Sequence, residues 1–137
     1  CLLCRHPVTL HDVPDLMDIQ SMASVLRSLG VVVSRQGGTM EVRARALSCV
    51  QPCKAAVRSL RAGFLVIGPL LGREREAVMA LPGGCDIGAR PVDLHLKGLE
   101  AMGTEISMDG ELLHARCSSG LKGISIQPLA FCEVRGG

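Results

Sequence analysis

Leu26-Arg27-Ser28-Leu29-Gly30 and Leu99-Glu100-Ala101-Met102-Gly103 hold the same place in two copies of one pattern, and that pattern decides the fold. Before the first, Asp15 follows Pro14 and opens a run with apolar residues at Leu16, Ile19, Met22, Ala23, Leu26 and Leu29. That spacing predicts a helix of about 15 residues, with Asp15 as its N-cap and Gly30 just past the last turn. After Gly30, residues 31–34 and 40–43 flank Gln36-Gly37-Gly38 and read as a β-hairpin. The second copy repeats the order: a helix over residues 93–102, Gly103, then strands over 104–108 and 111–115 around Asp109-Gly110. Helix, glycine, strand, glycine turn, strand, found twice, marks an internal structural repeat.

Outward from the copies, residues 8–10 form a short apolar segment, 54–71 a second apolar helix candidate and 77–81 a strand. Residues 82–91 form a Gly-rich loop. Helices interleaved with strands and hairpins predict a mixed α/β (α+β) layer architecture.

Composition narrows the class. The chain has 137 residues, 47% of them hydrophobic, enough for one packed core. Phe64 and Phe131 are its only aromatics, so that core must be built from aliphatic side chains. A net charge of +2 excludes a dedicated nucleic-acid binder. No apolar run reaches the roughly 20 residues that cross a bilayer, which predicts no membrane partner. Seven cysteines are an odd number with no secretory leader before them, so reduced thiols in a cytoplasm are expected. The start, Cys1-Leu2-Leu3-Cys4, reads as the middle of an apolar helix and suggests a chain truncated at the front.

The loop Leu81-Pro82-Gly83-Gly84-Cys85-Asp86-Ile87-Gly88-Ala89-Arg90-Pro91 has no packing explanation. Its glycines permit close approach of a ligand to the main chain, and loops between rigid elements are where reactive groups sit. Cys85 is therefore the candidate reactive thiol, and the other six cysteines are expected to be buried and inert. Arg61 and Arg90 can supply positive charge to lower a thiol pKa and hold an anion.

The segment 81–95 resembles the reactive-cysteine loop of the UDP-N-acetylglucosamine enolpyruvyl transferases (1-carboxyvinyltransferases). The likeness extends through Val57-Arg58-Ser59-Leu60-Arg61-Ala62 and Gly68-Pro69-Leu70 upstream, and through Gly98-Leu99-Glu100 and Gly120-Leu121-Lys122-Gly123 downstream. The related shikimate-pathway enolpyruvyl transferases share the fold but lack the Pro-Gly-Gly-Cys loop. The resemblance implies an inside-out α/β barrel of repeated βαβαββ units. It also implies transfer of the enolpyruvyl group from phosphoenolpyruvate to the 3'-hydroxyl of UDP-N-acetylglucosamine, releasing phosphate, the first committed step of peptidoglycan synthesis. By the same resemblance Cys85 donates a proton to the methylene carbon of phosphoenolpyruvate, forms an adduct with it, and reacts with fosfomycin. Arg61 is implied as a substrate contact at the domain cleft, and Arg90, Pro91, Val92, Asp93 and Leu94 as the stretch holding the UDP-sugar, with His95 one step beyond. No metal and no organic cofactor are implied, and family members work as monomers.

Against that family, residues 1–137 supply one incomplete domain with the reactive loop at 82–91, and the second domain is absent. Residues 127–137 depart from the Ser-Val-Gly-Ala-Thr nucleotide-binding segment that the family places there. The chain alone is expected to be marginally stable and inactive. One alternative is a non-catalytic nucleotide-sugar-binding or interaction fragment. Another is a metal or redox protein built on the pairs Cys1/Cys4 and Cys49/Cys53. Residues 73–76 read as a solvated loop of alternating charge, Met17, Met22 and Met102 as core, and His11 and Asp18 as residues able to approach a cleft.

Overall fold

The computed structural model describes residues 1–81 and 92–125. In chain order it contains β1 (Val8–Leu10), α1 (Met17–Ser28), β2 (Val32–Gln36), β3 (Thr39–Arg43), α2 (Lys54–Ser59), a 3-10 helix (Arg61–Val66), α3 (Ile67–Glu74), β4 (Glu76–Ala80), α4 (Asp93–Ala101), β5 (Glu105–Asp109) and β6 (Leu112–Arg116). The predicted mixture of helices and sheets is present, as two βαββ units joined by the helical stretch α2 to α3. Each unit forms a three-stranded sheet with its last strand in the middle, in the orders β1-β3-β2 and β4-β6-β5. All neighbouring strands are antiparallel, so the first and second strands of each unit run parallel on either side of the third. The helix between them is the crossover that such an arrangement requires. The fourth strand of a βαβαββ unit is not among the described residues.

The two units superpose in sequence at a spacing of 73, the interval from Gly30 to Gly103. Gly30 takes φ +87° and Gly103 φ +95°. Around them the hydrogen bonds match: Gly30 N–H donates to the Arg27 carbonyl and Val31 N–H to that of Leu26, while Gly103 and Thr104 donate to Glu100 and Leu99. This is the Schellman ending, in which a left-handed residue lets the chain satisfy the last helical carbonyls. The hairpins also match, with Gly37 at φ +57° and Gly110 at φ +58° opening two-residue turns. Pairing of Asp109 with Leu112 makes the second turn Gly110-Glu111, one residue later than the sequence suggested.

Strand burial follows the pleat. Met40 and Val42 of β3, and Leu113 and Ala115 of β6, alternate inward against one shared core that includes Leu29, Val57, Phe64, Leu70 and Leu71. The alternation is what a sheet with one covered face demands.

Several sequence expectations are corrected. α1 begins at Met17, capped by Leu16 with no side-chain bond, because the Asp15 carboxylate is taken up instead by Gln20 and by Arg35 at 3.2 Å. The single helix expected over 54–71 breaks at Leu60, whose backbone is extended. The chain folds back so tightly there that a Cβ on Gly63 would lie 3.0 Å from the Val57 carbonyl oxygen. Residues 73–76 are not a solvated loop. Arg73 and Glu74 end α3, Arg75 caps it at φ +62° and Glu76 opens β4. The Arg73 side chain is only 8% exposed and donates to the carbonyls of Leu2 (2.6 Å) and Arg45 (2.9 Å). Residues 1–4 form a turn closed by Cys4 N–H to the Cys1 carbonyl, not a helix. Cys1, Cys4, Cys49 and Cys53 are exposed and free; of the described cysteines only Cys117 is buried. Met17 is 77% exposed, so it is not core, whereas Met22 packs against the core from its edge.

Candidate active site

Two described residues bracket, in sequence, the segment that carries the candidate thiol. The first is Leu81, which follows β4 and whose N–H donates to the Glu111 carbonyl at 3.5 Å, extending the β4–β6 ladder by one rung. The second is Val92, the N-cap of α4, half-buried against the core, whose carbonyl accepts the Leu96 N–H at 3.0 Å. Cys85, Arg90 and Pro91 lie between these two in sequence, outside the described residues.

The remaining candidates sit on two helices. Arg61 is the first residue of the 3-10 helix, placed by the extended Leu60 that ends α2. Asp93, Leu94 and His95 form the first turn of α4, all exposed. Val92 makes no side-chain capping bond, so the first N–H groups of α4 lack the partner that a Ser or Asp cap provides. Such amides, at the positive end of the helix, suit an anionic ligand. The two helices meet through Phe64 and His95, whose rings stand edge to face, 6.4 Å apart at 84°. Beside that contact runs an open groove of about 290 Å³ between the 3-10 helix and α4, its apolar wall formed by Leu65, Leu94 and Met102. The structure thus brings the Arg61 helix and the Asp93–His95 turn to one side of the molecule.

The helix carrying His95 differs from its counterpart. His95 stands where the first repeat has Met22, and α4 has no fully buried residue, whereas α1 buries Ala23 and Val25. A polar ring at a position that the packing helix fills with methionine, beside the exposed Leu94, suits a ligand-facing surface. Among the described residues no group of three His, Cys, Asp or Glu side chains is placed to hold a metal ion. No helix among them is long and apolar enough to cross a membrane.

Comparison with known proteins decides the family. The sequence profile of EPSP synthase (3-phosphoshikimate 1-carboxyvinyltransferase) matches residues 1–129. The chain belongs to that family. Within it, the chain is 46% identical over 125 residues to the UDP-N-acetylglucosamine 1-carboxyvinyltransferase of Acidiphilium cryptum, covering 91% of this chain and 30% of that one. It is 48% identical over 128 residues to the protein of the same name from Cereibacter sphaeroides, again over 91% of this chain and 30% of the relative. The chain therefore spans about 30% of the length of these curated relatives. The enolpyruvyl transferase NikO from Streptomyces tendae shares the fold, with a TM-score of 0.74 at 15% identity over 88% of this chain and 26% of its own. The resemblance read from the loop 81–95 is thus matched across nine-tenths of the chain.

Two residues of this family member escaped the sequence reading. Arg58 was visible only as one letter of the 57–62 stretch, and Glu111 only as a strand residue beside a turn. The Arg58 guanidinium donates to the Glu111 carboxylate at 3.0 Å across 53 positions of sequence. The signal that could have found Glu111 is its counterpart in the repeat, Gly38, a turn position that needs no side chain.

Proposed function

We propose that this chain is the part of a UDP-N-acetylglucosamine enolpyruvyl transferase that carries its reactive cysteine. The observation that supports it most is 46–48% identity to relatives of that name over 91% of the chain. A second support is that the 3-10 helix beginning at Arg61 touches α4 through Phe64 and His95, and that residues 82–91 join Leu81 to Val92 in sequence.

In this reading the α4 first turn, with Arg90, Pro91, Val92, Asp93, Leu94 and His95, holds the UDP-sugar, and Arg61 meets the substrates at the cleft. The sugar 3'-hydroxyl oxygen forms a bond to C2 of phosphoenolpyruvate as its O–H bond breaks and the proton passes to a base, while Cys85 gives a proton to C3, making a methyl group. Loss of a C3 proton then restores the double bond as the C2–O bond to phosphate breaks, so enolpyruvyl ether and phosphate leave in equal amounts. Fosfomycin is attacked by the Cys85 sulfur, which forms an S–C bond as the epoxide C–O bond opens and its oxygen takes a proton. The reaction belongs to the cytoplasm, on a monomer in which the present residues form one incomplete domain.

The test is phosphate release from phosphoenolpyruvate, dependent on UDP-N-acetylglucosamine, by the chain extended to the length of its relatives. Turnover that disappears in Cys85→Ala is expected, with no turnover by residues 1–137 alone. Sugar-independent phosphate release, or full activity in Cys85→Ala, would remove this function. Sugar binding with no turnover in the extended protein would favour a non-catalytic nucleotide-sugar-binding role.

A further inference from the structure

The two repeats secure the junction between first strand and helix by different means. In both, a Val-Pro or Leu-Pro pair leaves the strand, Val13-Pro14 in the first and Leu81-Pro82 in the second. In both, the N–H of the residue before proline donates to the carbonyl of the second turn residue of the hairpin, Gly38 in the first and Glu111 in the second. The first of these bonds is 2.8 Å, the second 3.5 Å, at the outer edge of a hydrogen bond.

The first junction has further support. Arg35 of β2 donates to the Val13 carbonyl (3.0 Å), the Gly37 carbonyl (3.0 Å) and the Asp15 carboxylate (3.2 Å). One planar guanidinium thereby ties strand, turn and helix start together. At the same place in the second repeat stands Met108, which is exposed and donates nothing. What the second repeat has instead is Glu111, whose carboxylate reaches Arg58 in the last turn of α2. Arg58 lies two residues before the extended Leu60 and three before Arg61.

We infer that Glu111 is a positioning residue: with its backbone it holds Leu81, the described residue that precedes the Cys85 segment in sequence, and with its side chain it ties Leu81 to the α2 end from which Arg61 follows. The inference rests on the transferase reading for the meaning of Cys85 and Arg61, but the linkage itself is independent of turnover. One residue then couples the two sides of the site. The glycine at the equivalent turn position of the first repeat makes no such tie, and Arg35 makes it unnecessary there.

The test uses residues 1–137 and two readouts that need no catalysis: amide exchange at Leu81, and the rate of iodoacetamide alkylation of Cys85 followed by peptide mass spectrometry. Glu111→Gly, which copies the first repeat and leaves the backbone carbonyl in place, is expected to raise both rates roughly twofold to fivefold, the scale of a part-exposed ion pair. Protection at Met79 and Leu113 should stay unchanged. Glu111→Gln and Arg58→Gln should do the same, and the exchanged pair R58E/E111R should restore both rates. Should Glu111→Gly disturb the hairpin, seen as lost protection at Leu113, the two glutamine variants decide. Unchanged rates in those variants, or an exchanged pair that behaves like the single variants, would overturn the inference. Loss of sugar-dependent turnover in the extended parent protein would instead count against the transferase reading alone.

Discussion

Three residues, 14–16, separate Val13 from α1 in the first repeat, whereas eleven, 82–92, separate Leu81 from α4 in the second. The scaffolds around these junctions are otherwise matched in strand order, in the Schellman endings at Gly30 and Gly103, and in the glycine turns. One repeat thus closes its junction tightly, while the other leaves its helix start exposed. The first is filled and clamped: Leu29 and Val25 are fully buried and Arg35 locks its junction. The second keeps the inward face of β6 but presents a helix with exposed Leu94 and His95, next to an open groove.

The sharpest way to break this comparison is to truncate the same position in both repeats. Leu29→Ala removes a fully buried side chain and should cost about 2–5 kcal/mol, whereas Met102→Ala, at the half-buried counterpart, should cost less than half as much. Urea unfolding of the two variants measures both, and equal losses would show that the second repeat is as tightly packed as the first.

The paired glycines sharpen the contrast. Both adopt left-handed angles, so alanine at either carries a backbone penalty of about 1–2 kcal/mol. At Gly103 a Cβ meets nothing within 4 Å, but at Gly30 it would lie 2.5 Å from the Ser48 hydroxyl and 2.9 Å from the Ser48 backbone nitrogen. Gly30→Ala should therefore add about 1–3 kcal/mol of overpacking to the shared penalty. Thermal unfolding of the pair isolates that added cost.

A smaller effect of opposite sign is expected at Thr104, which replaces the buried Val31 of the first repeat and whose hydroxyl has no partner among the described residues. Thr104→Val should stabilise by about 1 kcal/mol, and Val31→Thr should destabilise by a similar amount. Smallest of all, Arg58→Gln should change global stability by less than about 1 kcal/mol, because its partner Glu111 is well exposed. A larger loss would mean that the pair supports the fold as a whole and not the junction at Leu81.

What could be read from the sequence was what neighbouring residues decide. Gly30 and Gly103 end their helices through a left-handed local angle that glycine supplies, and the hairpins follow from Gly37 and Gly110 for the same reason. The break at Leu60 was hidden because it depends on Gly63 packing against the Val57 backbone. Arg73 looked like part of a charged loop because its acceptors, the carbonyls of Leu2 and Arg45, are remote in sequence. Asp15 has the right chemistry for a cap, but Arg35 competes for its carboxylate from 20 residues away. The site shows the same division. Residues 82–91 stand out in the sequence by their glycines and cysteine, and α4 begins at Asp93, where the residue pattern placed the start of a helix. The meeting of His95 with Phe64 and of Glu111 with Arg58 needed the fold.

We propose that the longer junction of the second repeat, residues 82–92, carries Cys85 as the reactive residue of a sugar-nucleotide enolpyruvyl transferase. Mass spectrometry after fosfomycin treatment, with and without UDP-N-acetylglucosamine, tests it most directly on the chain extended to family length. A single adduct on Cys85 is expected, forming faster when the sugar nucleotide is present. An adduct spread over the exposed Cys1, Cys4, Cys49 and Cys53, or none on Cys85 under either condition, would contradict it.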